Sequence, residues 1–154
     1  MEKQTVAEFN IVKAYLVRRT ELKNKVTDDS QLKQVGSKLL GSHFLGAYSY
    51  DKVPWRRVKD KASFIINVDH SSKKGSHWVA VYYENRVCYL YDSFGRKSNK
   101  LLKPFLTILK KHGYRYKDSD HDQEQANAAD TCGQFSLAWL YVVQTRGIQR
   151  ALTI

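Results

Sequence analysis

The segment from residue 132 to residue 145 constrains the fold most, because it is apolar on nearly every side. It reads CGQFSLAWLYVVQT, and no continuous polar face interrupts its large apolar side chains. A helix that is hydrophobic all round has to be buried on all sides. We therefore expect a central helix that begins at Cys132 and is enclosed by other elements.

Three short stretches supply strands that could enclose this helix. Residues 63–68 form a short apolar run, and residues 77–83 and 86–92 are rich in β-branched and aromatic side chains. Only Glu84 and Asn85 separate the last two stretches, which predicts a tight β-hairpin.

Further elements are predicted on both sides of the hairpin. Residues 4–19 carry apolar side chains at helical spacing, and residues 99–112 do the same before the helix-ending Gly113. Residues 114–116 are interpreted as another short strand. These elements predict an α+β fold, in which a mainly antiparallel sheet packs against the central buried helix.

The charge of the chain indicates a polyanionic partner. The 154 residues contain 26 Lys and Arg against 15 Asp and Glu, a net charge of +11. An excess of this size is typical of nucleic-acid-binding proteins, although solvated surface lysines are the alternative interpretation. Residues 93–117 contain eight basic residues and no acidic one. The nucleic-acid-binding residues predicted from this stretch are Arg96, Lys97, Lys100, Lys103, Lys110 and Lys111.

The same composition argues against several classes of protein. No apolar run reaches the roughly 18 residues of a membrane span, and no apolar region of a signal peptide follows the N-terminus. Two cysteines cannot build a disulfide scaffold. The acidic loop at residues 118–122 resembles a calcium loop but has Gln123 at its sixth position and Ala129 at its twelfth. We therefore expect no metal site and no secretion.

Cys132 is the first candidate for chemistry, because it opens the buried helix. A helix N-terminus carries partial positive charge and unpaired N–H groups, which favour a thiolate. Gly133 follows and removes a side chain where a substrate backbone would approach. The alternative is an inert packing cysteine, since free cysteines are often buried.

A thiol nucleophile needs a base, and the base needs an orienting group. His77 opens one hairpin strand, and Asp92 ends the other. With the turn at residues 84 and 85, the register pairs residue 77 with residue 92, which brings an imidazole and a carboxylate within bonding reach. Donors for an oxyanion would be the backbone N–H of Cys132 and the side chain of Gln125, with Gln123 and Asn127 as rivals.

The order of these residues resembles that of the adenovirus-type cysteine proteases, the adenain family, which shares a clan with the proteases of ubiquitin-like proteins. The resemblance rests on FLGAY at residues 44–48, HW at 77–78, YLYDSFG at 89–95, QAN at 125–127 and CGQF at 132–135. It extends from about residue 44 to residue 139.

The resemblance implies a role for each matching position. His77 corresponds to the general base, Asp92 to the orienting acid, Gln125 to the oxyanion glutamine and Cys132 to the nucleophile. Trp78 corresponds to the tryptophan beside these groups, and we assign it, with Gly133, to substrate binding. It further implies one cysteine protease domain over residues 1–154, with 1–43 as an N-terminal helical extension and 44–154 as the catalytic core.

The expected function is therefore that of a viral cysteine endopeptidase that cleaves capsid or core precursors after small residues or Gly. No cofactor is required for the chemistry, and DNA is a candidate activator. We expect a monomer located in the virion, the host nucleus or a cytoplasmic virus factory. Two alternatives stay open: a deubiquitinating or deSUMOylating peptidase of the same clan, and a non-catalytic basic nucleic-acid-binding virion protein.

Overall fold

The elements of the fold follow one another along the chain in a mixed order of helices and strands. The computed structural model describes residues 2–18, 29–121, 123 and 131–154. The helices of this part are α1 (Glu2–Arg18), α2 (Asp29–Leu40), α3 (Ser98–Leu101), α4 (Lys103–Lys111), α5 (Cys132–Arg146) and α6 (Ile148–Ala151). The strands are β1 (Phe44–Ser49), β2 (Ala62–Asn67), β3 (Trp78–Glu84), β4 (Val87–Tyr91) and β5 (Arg115–Asp118).

The five strands form one sheet in the order β1-β2-β3-β4-β5. The pairs β2–β3 and β3–β4 are antiparallel, whereas β1–β2 and β4–β5 are parallel. The α+β class is thus confirmed, but the sheet is mixed rather than mainly antiparallel. The physical reason is the length of the connections: residues 50–61 and residues 92–114 are long enough to cross over the sheet, and a crossover joins parallel strands.

Strands β2 and β3 are buried on both faces, which explains why they carry apolar side chains on both faces. Ile65 and Ala80 belong to the cluster that includes α5, while Phe64 and Val79 belong to the cluster that includes α4. Successive side chains of a strand point to opposite faces. Most residues of such a strand are therefore apolar when helices cover both sides, and the polar Ser63 and Asn67 of β2 are buried as well.

Helix α5 lies between the sheet and the N-terminal helices. It packs against β3, α1, α2 and α6, and its residues from Cys132 to Leu140 are buried. Trp139 stacks on Tyr91 with ring centroids 5.4 Å apart and planes 8° apart. Its indole N–H donates to the carbonyl of Ala151 at 2.9 Å. The absence of a polar face on this helix follows from having neighbours all round.

The two N-terminal helices complete this side of the core. Phe9 of α1 is 1% exposed and makes edge-to-face contacts with Tyr91 and Phe135. Helix α2 packs on β1, where a Cβ at Gly36 would overlap the ring of Phe44. Close approach of α2 to the sheet therefore depends on glycine at this position.

The hairpin register predicted from the sequence is wrong. The turn residues are Asn85 and Arg86, so that Glu84 pairs with Val87. Both turn residues have positive φ, 51° and 65°, as a type I′ hairpin turn requires, and asparagine tolerates that conformation well. The turn moves by one residue along the chain, which shifts the strand pairing by two residues. His77 and Asp92 therefore stay on one face as diagonal neighbours rather than as a direct pair.

Strand β1 and helix α6 were not predicted from the sequence, and the predicted helix at residues 99–112 is divided into α3 and α4. Strand β1 contains Gly46, which has a φ of +133° and weakens the strand pattern, and α6 is only one turn long. Among the described helices, none has both the length and the apolar character needed to cross a membrane.

Replacement of Trp139 by alanine should strongly destabilise the fold. The indole is fully buried, so its loss removes apolar contacts and leaves a cavity next to Tyr91. We expect the free energy of unfolding to fall by about 3–5 kcal/mol, measured by denaturant titration. Tyr116→Ala, at a side chain that is 42% exposed, should change it by less than about 0.5 kcal/mol. Equal effects of the two substitutions would contradict the central position of α5.

Candidate active site

Three polar or reactive side chains converge where two strands and a helix meet. His77 directly precedes β3, Asp92 directly follows β4, and Cys132 is the first residue of α5. All three are buried, with 5%, 7% and 4% of their surfaces exposed. In the hairpin, the start of β3 lies beside the end of β4, and α5 packs on β3. The fold therefore brings the three side chains together from distant positions in the chain.

The imidazole of His77 is bonded to the carboxylate of Asp92. Its Nε2 lies 2.5 Å from Asp92 Oδ1. Since Asp92 is ionised, as shown below, its oxygen accepts and Nε2 carries the proton. The other ring nitrogen, Nδ1, is then not engaged by Asp92, and Cys132 acts on the pKa of the imidazole through hydrogen bonding and charge.

Asp92 is bonded on its other side by Arg96. The Nε of Arg96 donates to Oδ2 at 2.9 Å, and the backbone N–H of Arg96 donates to the same oxygen at 3.0 Å. Burial of the carboxylate favours its neutral form, but the hydrogen bonds and positive charges of His77 and Arg96 outweigh burial. They lower the pKa of Asp92 to about 2.

The pKa of His77 is shifted in the opposite direction from that of Asp92. Burial of the ring favours the neutral imidazole, but hydrogen bonds to Asp92 and Cys132, together with their negative charges, outweigh burial and raise the pKa of His77 above its ordinary value. The ring of Phe94 stacks on the imidazole, with centroids 5.0 Å apart. The position of His77 is thus set by Asp92 at its edge and by Phe94 on its face.

The sulfur of Cys132 receives a backbone hydrogen bond. The N–H of Trp78 donates to Sγ at 3.4 Å, and the carbonyl of Trp78 accepts from Ser136 Oγ one turn further along α5. Thr131 at the N-cap contributes no side-chain capping bond. Cys88 is a useful contrast, since burial in β4 raises the pKa of its thiol to about 12.

A tight turn after β4 arranges the groups around Asp92. The N–H of Gly95 donates to the carbonyl of Asp92 at 2.9 Å, and Gly95 has a φ of +71°. Glycine adopts this left-handed conformation without steric cost. The turn places Phe94 over His77 and returns Arg96 to the carboxylate.

Comparison with known protein families decides what kind of protein this is. The family model of the adenovirus endoprotease matches residues 44–148. The chain belongs to the adenovirus endoprotease family. It is accordingly a cysteine-type endopeptidase, a hydrolase of viral origin that acts on proteins. No curated protein matched the chain in a separate search.

The match to the adenovirus endoprotease family covers all five strands and the buried helix, but not α1 and α2. It begins at Phe44, the first residue of β1, and it ends within α6. Residues 1–43 precede the matched segment. In this endoprotease, α1 covers α5, and α2 covers both β1 and α5.

The remaining site predictions fall in different places. Trp78 begins β3, and Gly133 is the second residue of α5; both are buried next to Cys132. Gln125, like its rival Asn127, lies outside the described residues. Its other rival, Gln123, is exposed.

The residues predicted to contact nucleic acid separate into two groups. The lysines are exposed in and around α3 and α4, at positions Lys97, Lys100, Lys103, Lys110 and Lys111. Arg96, by contrast, is bonded to Asp92. Within the described residues, no three His, Cys, Asp or Glu side chains are grouped as they would be to hold a metal ion.

Sequence reasoning missed two neighbours of the cluster, Phe94 and Arg96. The only signal was their spacing of two and four residues from Asp92, immediately after a strand. A turn at that point folds the chain back on the last strand residue, but nothing in the sequence alone indicates which way the side chains point.

Replacement of Asp92 by asparagine should destabilise the folded state in a pH-dependent way. The pKa of Asp92 is about 2 in the folded protein against an ordinary value of 3.8. Because the folded value is lower, the stabilisation is fully present above pH 4 and is lost as the pH falls towards 2. At pH 7 the free energy of unfolding should fall by about 2 kcal/mol.

The measurement is a urea titration of both proteins at a series of pH values between 7 and 2. Ser119→Ala, at another buried polar residue, tests whether the pH dependence is specific to the carboxylate. A difference between Asp92→Asn and the parent protein that is constant over the whole pH range would contradict an ionised, paired Asp92.

Proposed function

We propose that the protein cleaves peptide bonds through Cys132 as nucleophile, His77 as general base and acid, and Asp92 as the group that orients the imidazole. The supporting observation is the convergence of the three buried side chains, with the Nε2 of His77 bonded to Asp92 and the sulfur of Cys132 held by the N–H of Trp78. The family assignment supports the same reaction class.

The proposed reaction follows from which atoms are already occupied. Asp92 holds Nε2, so Nδ1 accepts the proton of the Cys132 thiol, and the thiolate attacks the carbonyl carbon of the scissile bond. The resulting imidazolium donates its proton to the leaving amine as the C–N bond breaks. Water then loses a proton to His77 and attacks the thioester, which releases the acid product and restores the thiol.

Stabilisation of the developing oxyanion is assigned to α5 and to the loop before it. The backbone N–H of Cys132 lies in the first turn of α5, where N–H groups have no partner within the helix. We assign the second donor to the side chain of Gln125, as the resemblance implies. Such donors are worth about 2.7–4 kcal/mol each in related acyl-transfer reactions.

We propose viral capsid or core precursors as substrates, cut after small residues or Gly. Gly133 next to the nucleophile, and buried Trp78 beside it, support a narrow approach to Cys132. Such an enzyme would work in the virion, the host nucleus or a cytoplasmic virus factory. Cleavage of ubiquitin-like fusions instead of precursor peptides would favour the deubiquitinating alternative.

Alkylation of Cys132 by iodoacetamide should be fast and should depend on His77. A thiolate reacts and a thiol does not, and the proposed pairing with the imidazole supplies the thiolate below pH 8. His77→Ala should slow the reaction, and Cys132→Ser and His77→Ala should each lower kcat on a peptide substrate by at least about 1,000-fold. Mass spectrometry locates the label.

Cys88 provides an internal control, because it is fully buried and its thiol pKa is about 12. It should remain unlabelled while the protein is folded. Labelling of Cys132 that does not change in His77→Ala, with peptide cleavage at the parent rate, would refute the proposed roles.

We also propose that the exposed lysines of α3 and α4 contact DNA and that DNA activates the enzyme. Their exposure and the absence of acidic residues between positions 93 and 117 support this. Replacement of Lys100, Lys103 and Lys110 by glutamine should reduce the slope of log K against log salt by about 1 per lysine. Fluorescence anisotropy with a labelled duplex measures it.

The matched control replaces two exposed lysines of α2, Lys33 and Lys38, which should leave the slope unchanged. Equal slopes for all variants would mean that DNA does not bind this surface. DNA binding without any gain in peptide cleavage would remove the proposed activation.

A further inference from the structure

Arg96 is the one arginine of the basic stretch 93–117 that is bonded at the cluster of His77, Asp92 and Cys132. Its backbone N–H and its Nε both donate to Asp92 Oδ2, at 3.0 and 2.9 Å, and its Nη2 lies 3.4 Å from Oδ1. Asp92 has only 5% of its side chain exposed, whereas the side chain of Arg96 is 45% exposed. A half-exposed guanidinium therefore supplies the hydrogen bonds that a buried carboxylate needs.

A second contact links Arg96 to His77 through the ring of Phe94. Its guanidinium lies over the ring of Phe94, 4.9 Å from the centroid, and the imidazole of His77 stacks on the same ring with centroids 5.0 Å apart. Cation–π attraction of this kind holds the aromatic ring in place. The stacked ring of Phe94 thus resists tilting of the imidazole out of its present plane.

Arg96 reaches both oxygens of Asp92, but the two oxygens differ in their other partners. Oδ1 accepts from His77 at 2.5 Å and, at 3.4 Å, from Nη2 of Arg96 and the backbone N–H of Phe94. Oδ2 accepts from the backbone N–H and the Nε of Arg96. A carboxylate with one bonded oxygen can rotate about its last torsion, since that torsion is broad. Bonds to both oxygens hold Oδ1 in the direction that the imidazole requires.

We propose that Arg96 is a positioning residue for the peptidase reaction, which fixes the carboxylate of Asp92 through a forked contact and the ring of His77 through Phe94. The inference rests on the proposed function of His77, Asp92 and Cys132. The contacts of Arg96 are with Asp92 and Phe94, so it would act on the reacting groups through these two residues. Its role goes beyond the family match, because it depends on the arginine at this position of the turn.

The charges around His77 and Asp92 determine how the pKa of His77 should change when Arg96 is replaced. The groups that act on Asp92 are His77 and Arg96, and those that act on His77 are Asp92 and Cys132. Removal of the Arg96 cation leaves the Asp92 carboxylate less neutralised, so that it attracts the imidazolium more strongly. The pKa of His77 should then rise further, provided that the ring stays in contact with Asp92.

The kinetic experiment compares Arg96→Gln and Arg96→Lys with the parent enzyme on a peptide substrate. Arg96→Gln should lower kcat by about 10- to 100-fold with little change in KM, because hydrogen bonds to a charged group are lost. Arg96→Lys keeps the charge but not the planar fork, and it should recover part of the loss. Arg56→Gln, at an exposed arginine elsewhere in the chain, is the matched control and should retain full activity.

A second measurement does not require activity. In the Cys132→Ser protein, an NMR titration of His77 should give a higher pKa once Arg96→Gln is introduced, and an unchanged pKa with Arg56→Gln. Thermal unfolding of the same proteins determines the folded fraction. If the parent enzyme cleaves no peptide, the proposed function fails, while this titration still decides the role of Arg96.

Three outcomes would overturn the inference. The first is full kcat in both Arg96 variants. The second is a loss of activity that matches the loss of folded protein, which would make Arg96 merely structural. The third is a His77 titration that Arg96→Gln leaves unchanged.

Discussion

Burial of α5 is the constraint on which the rest of the structure depends. Its residues are apolar on all sides, so it needs the sheet on one side and α1 on the other. The same burial places its first residue, Cys132, next to the first residue of β3, where the N–H of Trp78 donates to the sulfur. Packing and chemistry are therefore linked, since the helix that fills the core also carries the reactive thiol.

The second constraint is electrostatic. A carboxylate buried at the end of β4 would be costly without partners, and Asp92 obtains them from His77 on one side and Arg96 on the other. These partners keep it ionised, and an ionised Asp92 in turn favours the protonated Nε2 of His77. The turn at Phe94 and Gly95 makes these contacts possible, because it brings Arg96 back beside Asp92 at the end of β4.

Much of this arrangement could be predicted from the sequence, in so far as it depends on short-range patterns. Period, propensity and turn chemistry identify β3, β4 and α5 within one or two residues. They also place His77, Asp92 and Cys132 at the ends of these elements. Strand β1 and the parallel edges of the sheet could not be found in this way, because strand partners are distant in the sequence and Gly46 weakens the local signal.

The hairpin illustrates both sides of that limit. Counting residues predicted that His77 and Asp92 share a face of the sheet, and the structure agrees, although the turn lies at Asn85 and Arg86 rather than one residue earlier. The misplaced turn did not change the predicted contact, because a shift of two residues in the pairing keeps both side chains on the same face of the sheet. The local sequence could not decide it, since Glu84 and Arg86 are equally compatible with a strand or a turn.

By itself, then, the sequence determined the α+β class, the buried helix and the residue types that a cysteine peptidase needs, because these follow from local periodicity and side-chain chemistry. Only the tertiary structure decided that the half-exposed Arg96 bonds Asp92 and that Phe94 covers His77. Those contacts depend on the direction in which a tight turn sends each side chain. That direction results from the packing of the whole sheet, not from the residues of the turn alone.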